Sequence, residues 1–333
     1  MTPRVRVALV VAALAATAAV VVVGSAVLSA EDMASQATVA QPAKARPGAP
    51  PLVLELGLRD DRGARALREA AGLLRAGRRA EAAAIFGEDE SLEAKLGGAF
   101  ASWPGTLGRV EQLGALYPRS ALVQLHVGLA RFWAGERGAL EAWREARDVE
   151  PDTPYAVRAG DLLYADFAPG LPLFQPSFPL PQSVAELPPR EQLKTLRDAA
   201  VSGSEDVSGA LYYGVALQRL GRPVSARRVF ADAAKRATSG HGTHAADALV
   251  ADAVGRYTKE SPVEAFSRLG PLSRRFPRAA TVRFHLGLLL LWQRDVKAAG
   301  KQLRLARGAE PGSRIAREAQ RYLDELADVG GTR

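Results

Sequence analysis

Histidine is the first place to look for chemistry in this chain, because there is no cysteine and only four histidines stand in 333 residues, at 126, 241, 244 and 285. His241 and His244 form the one close pair, in Ser-Gly-His-Gly-Thr-His. Two ligands three apart could begin a metal site, but a third is needed and none is near in sequence. The pair reads instead as a solvated loop, with Thr243 capping the helix that follows. His126 and His285 stand in equivalent surroundings, each just ahead of a glycine, at Gly128 and Gly287. Duplicated identity points to a shared structural job, a hydrogen bond to a neighbouring unit. A metal or pH-sensing role is the alternative. The acidic run Glu88-Asp89-Glu90 precedes a helical stretch and complements its positive end more simply than it makes a catalytic carboxylate pair.

The other signatures of catalysis are missing. There is no Gly-x-Ser-x-Gly, no dinucleotide fingerprint and no His-Glu-x-x-His, and Lys301 follows Gly300 without the upstream glycine that a phosphate loop needs. The lack of cysteine excludes disulfides, thiol catalysis, cysteine-bound zinc and a lipid-modified N-terminal cysteine. No catalytic residue, cofactor or metal is expected. A metal-dependent enzyme stays as a remote alternative, resting on scattered histidines and carboxylates.

What must position any binding residues is a long-range duplication. Tyr117-Pro118-Arg119 is followed by His126, Gly128, Leu129, Trp133, Ala139, Trp143, Ala146 and Pro151. Phe276-Pro277-Arg278 is followed by His285, Gly287, Leu288, Trp292, Ala299, Leu303, Ala306 and Pro311. The offset is 159 residues as far as the tryptophan and 160 beyond it, so a turn differs by one residue. Such repeats bury their apolar faces by stacking on one another. The Ala-, Leu-, Arg- and Glu-rich composition favours helix.

Helix pairs follow from the apolar spacing: 64–76 with 79–86, 92–102 with 107–116, 121–134 with 137–149, 208–220 with 224–236, 243–257 with 263–275, and 279–293 with 296–307. A closing helix covers 313–326. Within the pairs Gly214 lets two backbones approach, while Ala226, Phe230 and Ala233 share one face of the second helix, and Phe230 fills the space left by the small residues. Gly214, Ala226, Phe230 and Ala233, like Gly287, Ala299, Leu303, Ala306 and Pro311, resemble the tetratricopeptide repeat family in its small, small, large and small positions. No tryptophan opens any repeat. The resemblance covers about three quarters of the chain. It implies an all-α, right-handed solenoid of about six helix pairs in two three-unit blocks, whose first helices line a concave, peptide-binding groove.

Residues Val7 to Ala30 carry no charge, and the 24 of them would make a helix about 36 Å long, enough to cross a bilayer core of about 30 Å. Arg4 and Arg6 before this run, with Glu31 and Asp32 after it, place residues 1–6 in the cytoplasm and everything beyond Ala30 outside. The competing reading is a signal peptide cut after residue 26 or 30, giving a secreted protein. The expected organisation is then a membrane helix at 7–30, a Pro/Ala-rich linker at 31–63, a first block at 64–165, a Pro/Phe-rich connector at 166–189, and a second block with its cap at 190–328. The stretch from Phe167 to Pro189 holds seven prolines and three phenylalanines; it is expected to be neither helix nor central strand and to pack on the solenoid. Asp60-Asp61 reads as a helix start.

Two surfaces are candidate partner sites. By the resemblance, Leu125, Leu129, Phe132, Trp133, Phe284, Leu288, Leu291 and Trp292 face the groove. Either tight packing or the chain's own Pro-Phe segment covers them, or they bind an apolar helix or an extended peptide. Arg294, Lys297, Lys301 and Arg304 form a stripe within a stretch, Arg268 to Arg307, that has ten basic residues and one acid. The stripe is a solvated face or a site for an anionic lipid or wall polymer outside the membrane. Nucleic acid is not expected, since no stacking aromatics are interleaved with the charges. The functional expectation is a non-catalytic adaptor at the outer face of the cytoplasmic membrane, binding a protein or peptide. A self-assembling envelope protein, a homo-oligomer, is the alternative.

Overall fold

The computed structural model describes residues 45–203, 206–239 and 244–330. The expected cytoplasmic end, the apolar segment 7–30, the spacer up to residue 44, His241 and Thr243 lie outside the described residues. Among those described, no helix is long and apolar enough to cross a membrane. All regular structure among them is helical: α1 Arg62–Arg75, α2 Arg79–Phe86, α3 Leu92–Ala101, α4 Leu107–Leu116, α5 Ala121–Ala134, α6 Ala139–Val149, α7 Pro154–Leu163, α8 Gln182–Ala185, α9 Pro189–Val201, α10 Ser208–Arg219, α11 Pro223–Ser239, α12 Ala245–Gly255, α13 Val263–Arg275, α14 Ala280–Trp292, α15 Val296–Ala309 and α16 Arg314–Gly330. Most of them pack mainly on a helix adjacent in sequence, the arrangement of a helical repeat protein.

The chain forms two compact units. One contains residues 45–164 and Leu180–Ala248; the other contains Ala165–Pro179 and Leu249 to the C-terminal helix. The Pro/Phe-rich stretch is therefore divided, its first part belonging with α13–α16. Two helices appear where none was expected, at α7 and α9. The stretch from Phe167 to Pro189 also holds a helical turn, α8, because Gln182-Ser183-Val184-Ala185 has no proline of its own and Pro181 stands at its N-cap. Residues 52–58, with their alternating leucines, carry no strand.

Local signals account for the helix ends that matter. The Asp61 carboxylate accepts from the Ala64 amide at 2.9 Å, opening α1 at the predicted acidic pair. The Ser120 hydroxyl caps α5, and Gly135 closes it with φ of 76°. Asp295 caps α15 by accepting from Ala298 N at 2.9 Å.

The expected close approach of helix pairs is present. A Cβ on Gly214 would run into the Phe230 ring, one on Gly128 into the Trp143 indole, and one on Gly287 would lie 2.9 Å from Leu303 Cγ. Phe230, Trp143 and Leu303 are all buried. Replacing Gly214 with alanine should therefore overpack the α10–α11 contact and cost about 1–3 kcal/mol. Gly72, also inside a helix, has nothing within 4 Å of such a Cβ. Gly72→Ala should be neutral or raise stability by up to about 1 kcal/mol. Urea unfolding of the two variants checks the contrast; equal effects would refute it.

Candidate functional site

The site begins with two helices that are apolar nearly all round. Ten residues of α5 and ten of α14 are buried, including His126 and His285 at 0 % exposure. Flanking helices cover part of each surface. The rest is covered by an extended stretch of the same compact unit: residues 45–54 against α5, and residues 165–178 against α14.

Each of these straps is held at two points. The Arg46 amide donates to the Trp133 carbonyl at 2.7 Å, and the Ala168 amide to the Trp292 carbonyl at 3.2 Å. Those carbonyls sit in the last turn of their helices, where no intrahelical partner exists. Seven residues along each strap comes the second contact. The Val53 amide donates to His126 Nε2 at 3.1 Å, and the Gln175 amide donates to His285 Nε2 at 2.9 Å. The two histidines are also seven residues from the two tryptophans, so strap and helix run antiparallel in matched register.

That register requires the strap to contract. Seven helical residues rise about 10 Å, whereas seven extended residues reach about 23 Å. The slack is taken up by Pro47-Gly48 and Pro169-Gly170, whose glycines have φ of 78° and 75°. Proline followed by a left-handed residue marks a type II turn, and the second position favours glycine.

The imidazoles are held in one tautomer. Nδ1 of each lies 2.7 Å from the carbonyl four residues earlier, Leu122 or Thr281. A carbonyl only accepts, so Nδ1 carries the proton and Nε2 is free to accept the strap amide. Phe174 stacks on His285 at 5.1 Å between centroids, and Phe100 meets His126 edge-on at 5.2 Å. Burial pushes both imidazoles down to about 4, against an ordinary value of 6.5.

The expected groove residues divide in the structure. Leu125, Leu129, Phe284, Leu288, Leu291 and Trp292 are buried, and Phe132 and Trp133 are half-buried. The Trp292 indole donates to the Gly170 carbonyl at 3.3 Å, and Arg46 lies 4.0 Å above the Phe132 ring. Phe284 instead turns edge-on to Tyr322 of α16, at 5.7 Å. At α5, the covering segment is part of what the sequence suggested was a spacer.

The basic stripe is three residues rather than four on its helix. Lys297, Lys301 and Arg304 are exposed on α15. Arg294 precedes that helix with φ of 61°, and its guanidinium donates to the Ala165 carbonyl at 3.0 Å. Among the described residues no group of three His, Cys, Asp or Glu side chains is arranged to hold a metal. The Pro-Phe segment covers α14 as one of the two readings had it, while the strap on α5, and the pattern the two straps share, were the part that sequence reasoning missed. Their signal was present as Pro-Gly-x-Pro at 47–50 and again at 169–172. It was hidden because that offset, 122, differs from the 159 of the helices.

The helix hairpins, packed glycine against large side chain, resemble those of tetratricopeptide repeats. No family model matches the chain, and no curated protein matches it. Among solved structures, that of yeast Tom70 is 13% identical with a TM-score of 0.33, over 85% of this chain and 67% of that one. The APC/C hetero-tetramer Cut9-Hcn1 is 14% identical with a TM-score of 0.26, over 78% of this chain and 55% of that one. Likeness this slight adds nothing to what the repeats themselves establish.

The histidines make a pH prediction. The unfolded chain binds their protons below pH 6.5, while the folded chain does so only near pH 4. Stability is therefore complete above 6.5 and falls as pH drops from 6.5 towards 4, by up to roughly 3 kcal/mol per histidine. Urea midpoints measured every half unit from pH 8 to 4 should be flat and then descend in that window. A flat line to pH 4.5 would contradict the neutral clamp.

Proposed function

We propose that this chain is a non-catalytic protein-interaction scaffold, held at the outer face of the cytoplasmic membrane by residues 7–30. The observation that carries the reading is that two different helices, α5 and α14, each hold an extended proline-containing segment by its backbone amides. A surface that reads backbone, aided by a few apolar contacts, is a peptide-holding surface. The anchor is supported by the uncharged run from Val7 to Ala30, with Arg4 and Arg6 before it.

Crosslinking in native membranes, followed by tagged purification of the full-length chain, tests the scaffold. A single stoichiometric protein partner that survives high salt is the expected result. Recovery of the chain alone would replace the scaffold with a self-assembling envelope protein. A second reading rests on Lys297, Lys301 and Arg304, which are exposed with no carboxylate pairing them among the described residues. An anionic lipid or wall polymer would bind there, and the binding would fall steeply with salt.

A further inference from the structure

We infer that the face of α5 covered by residues 46–53 is an exchangeable site, whose partner is an extended segment of another protein carrying Pro-Gly-x-Pro-x-Leu/Phe. The inference rests on the scaffold reading and gives its partner a chemistry. The two straps align without a gap: Pro47 with Pro169, Gly48 with Gly170, Pro50 with Pro172, Leu52 with Phe174. Between those positions they differ, with Arg46 against Ala168, Ala49 against Leu171, Pro51 against Leu173 and Val53 against Gln175. Yet α5 and α14 each read their own strap in the same way, through amides seven residues apart, a Pro-Gly turn and one apolar side chain. A rule satisfied by two dissimilar sequences is open to a third.

The two straps are not held equally. On α14, Ala168, Pro172, Phe174 and Pro176 are buried. The Trp292 indole and Arg294 add bonds, and Arg314 grips the carbonyls of Pro176 and Phe178 at 2.8 and 2.9 Å. On α5, Pro50 is the one buried residue between 45 and 54, and residues 45–48 are exposed. A cavity of about 480 Å³ lies beside that strap, lined by Ala45, Arg46, Gly48, Trp103, Leu107 and Trp133 among others. The site on α5 therefore has the looser occupant and room alongside it.

A second copy of the chain is the poorer source of the incoming segment. The downstream end of the α5 strap is tied to its own unit: the Glu55 amide donates to the Tyr155 hydroxyl at 3.2 Å. Arg190 also holds the Leu58 carbonyl at 3.1 Å and the Asp60 carboxylate at 2.6 Å. While those hold, the strap reaches only its own helix. A segment from another protein has no such ties, but it must displace a tethered rival whose effective concentration is on the order of millimolar.

The test uses the full-length chain in detergent and a fluorescent peptide with the sequence of residues 167–178. Val53→Pro deletes the strap amide that donates to His126, at a position outside every helix. The peptide should bind this variant at least tenfold more tightly than the unaltered chain. N-methylation of the peptide at its Gln175 position should abolish the gain, and a photoreactive group on the peptide should label α5 rather than α14. Equal binding by a variant with unchanged circular dichroism and melting would overturn the inference. So would indifference to N-methylation, labelling on α14, or dimers that form without peptide. If Val53→Pro does not fold, Leu52→Ser carries the same readouts. A chain that captures a membrane partner but shows no exchange overturns this inference alone; a chain that does neither overturns the scaffold as well.

Discussion

A helix with no polar side needs cover on every side, and this is the constraint from which the architecture of both units follows. The helices α5 and α14 are the cases in point, with the buried residues running round the whole circumference. A hairpin partner closes one flank and the adjacent hairpin another. What remains is closed by extended chain, and that solution creates a second demand. An extended segment laid on an apolar helix brings amides with no ladder to receive them. Both units meet the demand alike, with one amide going to an unpaired carbonyl at the helix end and another to a buried imidazole. Every polar group brought under cover at these points pairs with one that lacked a partner.

The choice of histidine follows from the same constraint. The acceptor offered to the strap has to sit inside an apolar cluster, where a carboxylate would be costly to bury without a cation. A neutral imidazole presents one acceptor and one donor in a rigid ring. With the donor satisfied by the carbonyl one turn back in its own helix, the acceptor is left aimed at the strap. Burial keeps the ring neutral, which is also the state the contact requires. A protonated Nε2 would face a donor.

The helical part of the fold was legible because its signals are local or repeat in step. Gly214 and Phe230, or Gly287 and Leu303, lie at spacings that the hairpin itself imposes, and Asp61 marks the start of α1 where acid next to a helix pattern suggests it. The straps were legible only in part. The stretch from Phe167 onward betrayed itself through phenylalanines, which a free linker would not expose. Residues 45–51 have no such mark: alanine, proline and glycine there fit a spacer equally well. Their role becomes visible only where Val53, just beyond them, meets His126, 73 residues further on. Helices α7 and α9 were missed for a different reason. They bury only two and one residues, and both lie outside the repeated pattern of small and large positions by which the other helices were paired.

One of the differences between the two sites lies in a backbone angle. Two residues after each tryptophan the chain turns left-handed, at Gly135 after α5 and at Arg294 after α14. Glycine adopts that conformation freely, whereas arginine does so at a cost of about 1–2 kcal/mol. The strain has a visible counterpart, since the Arg294 guanidinium reaches the Ala165 carbonyl at the entrance of its strap. At the equivalent position a glycine has no side chain with which to reach the other strap. The unit that accepts strain is thus the one whose strap is fastened at its entrance, and the unit that avoids it leaves residues 45–48 exposed to solvent. Two copies of one device are thus held with different strength, and the choice between glycine and arginine two residues past the tryptophan is one of the reasons, beside the Trp292 and Arg314 bonds that only the α14 strap receives.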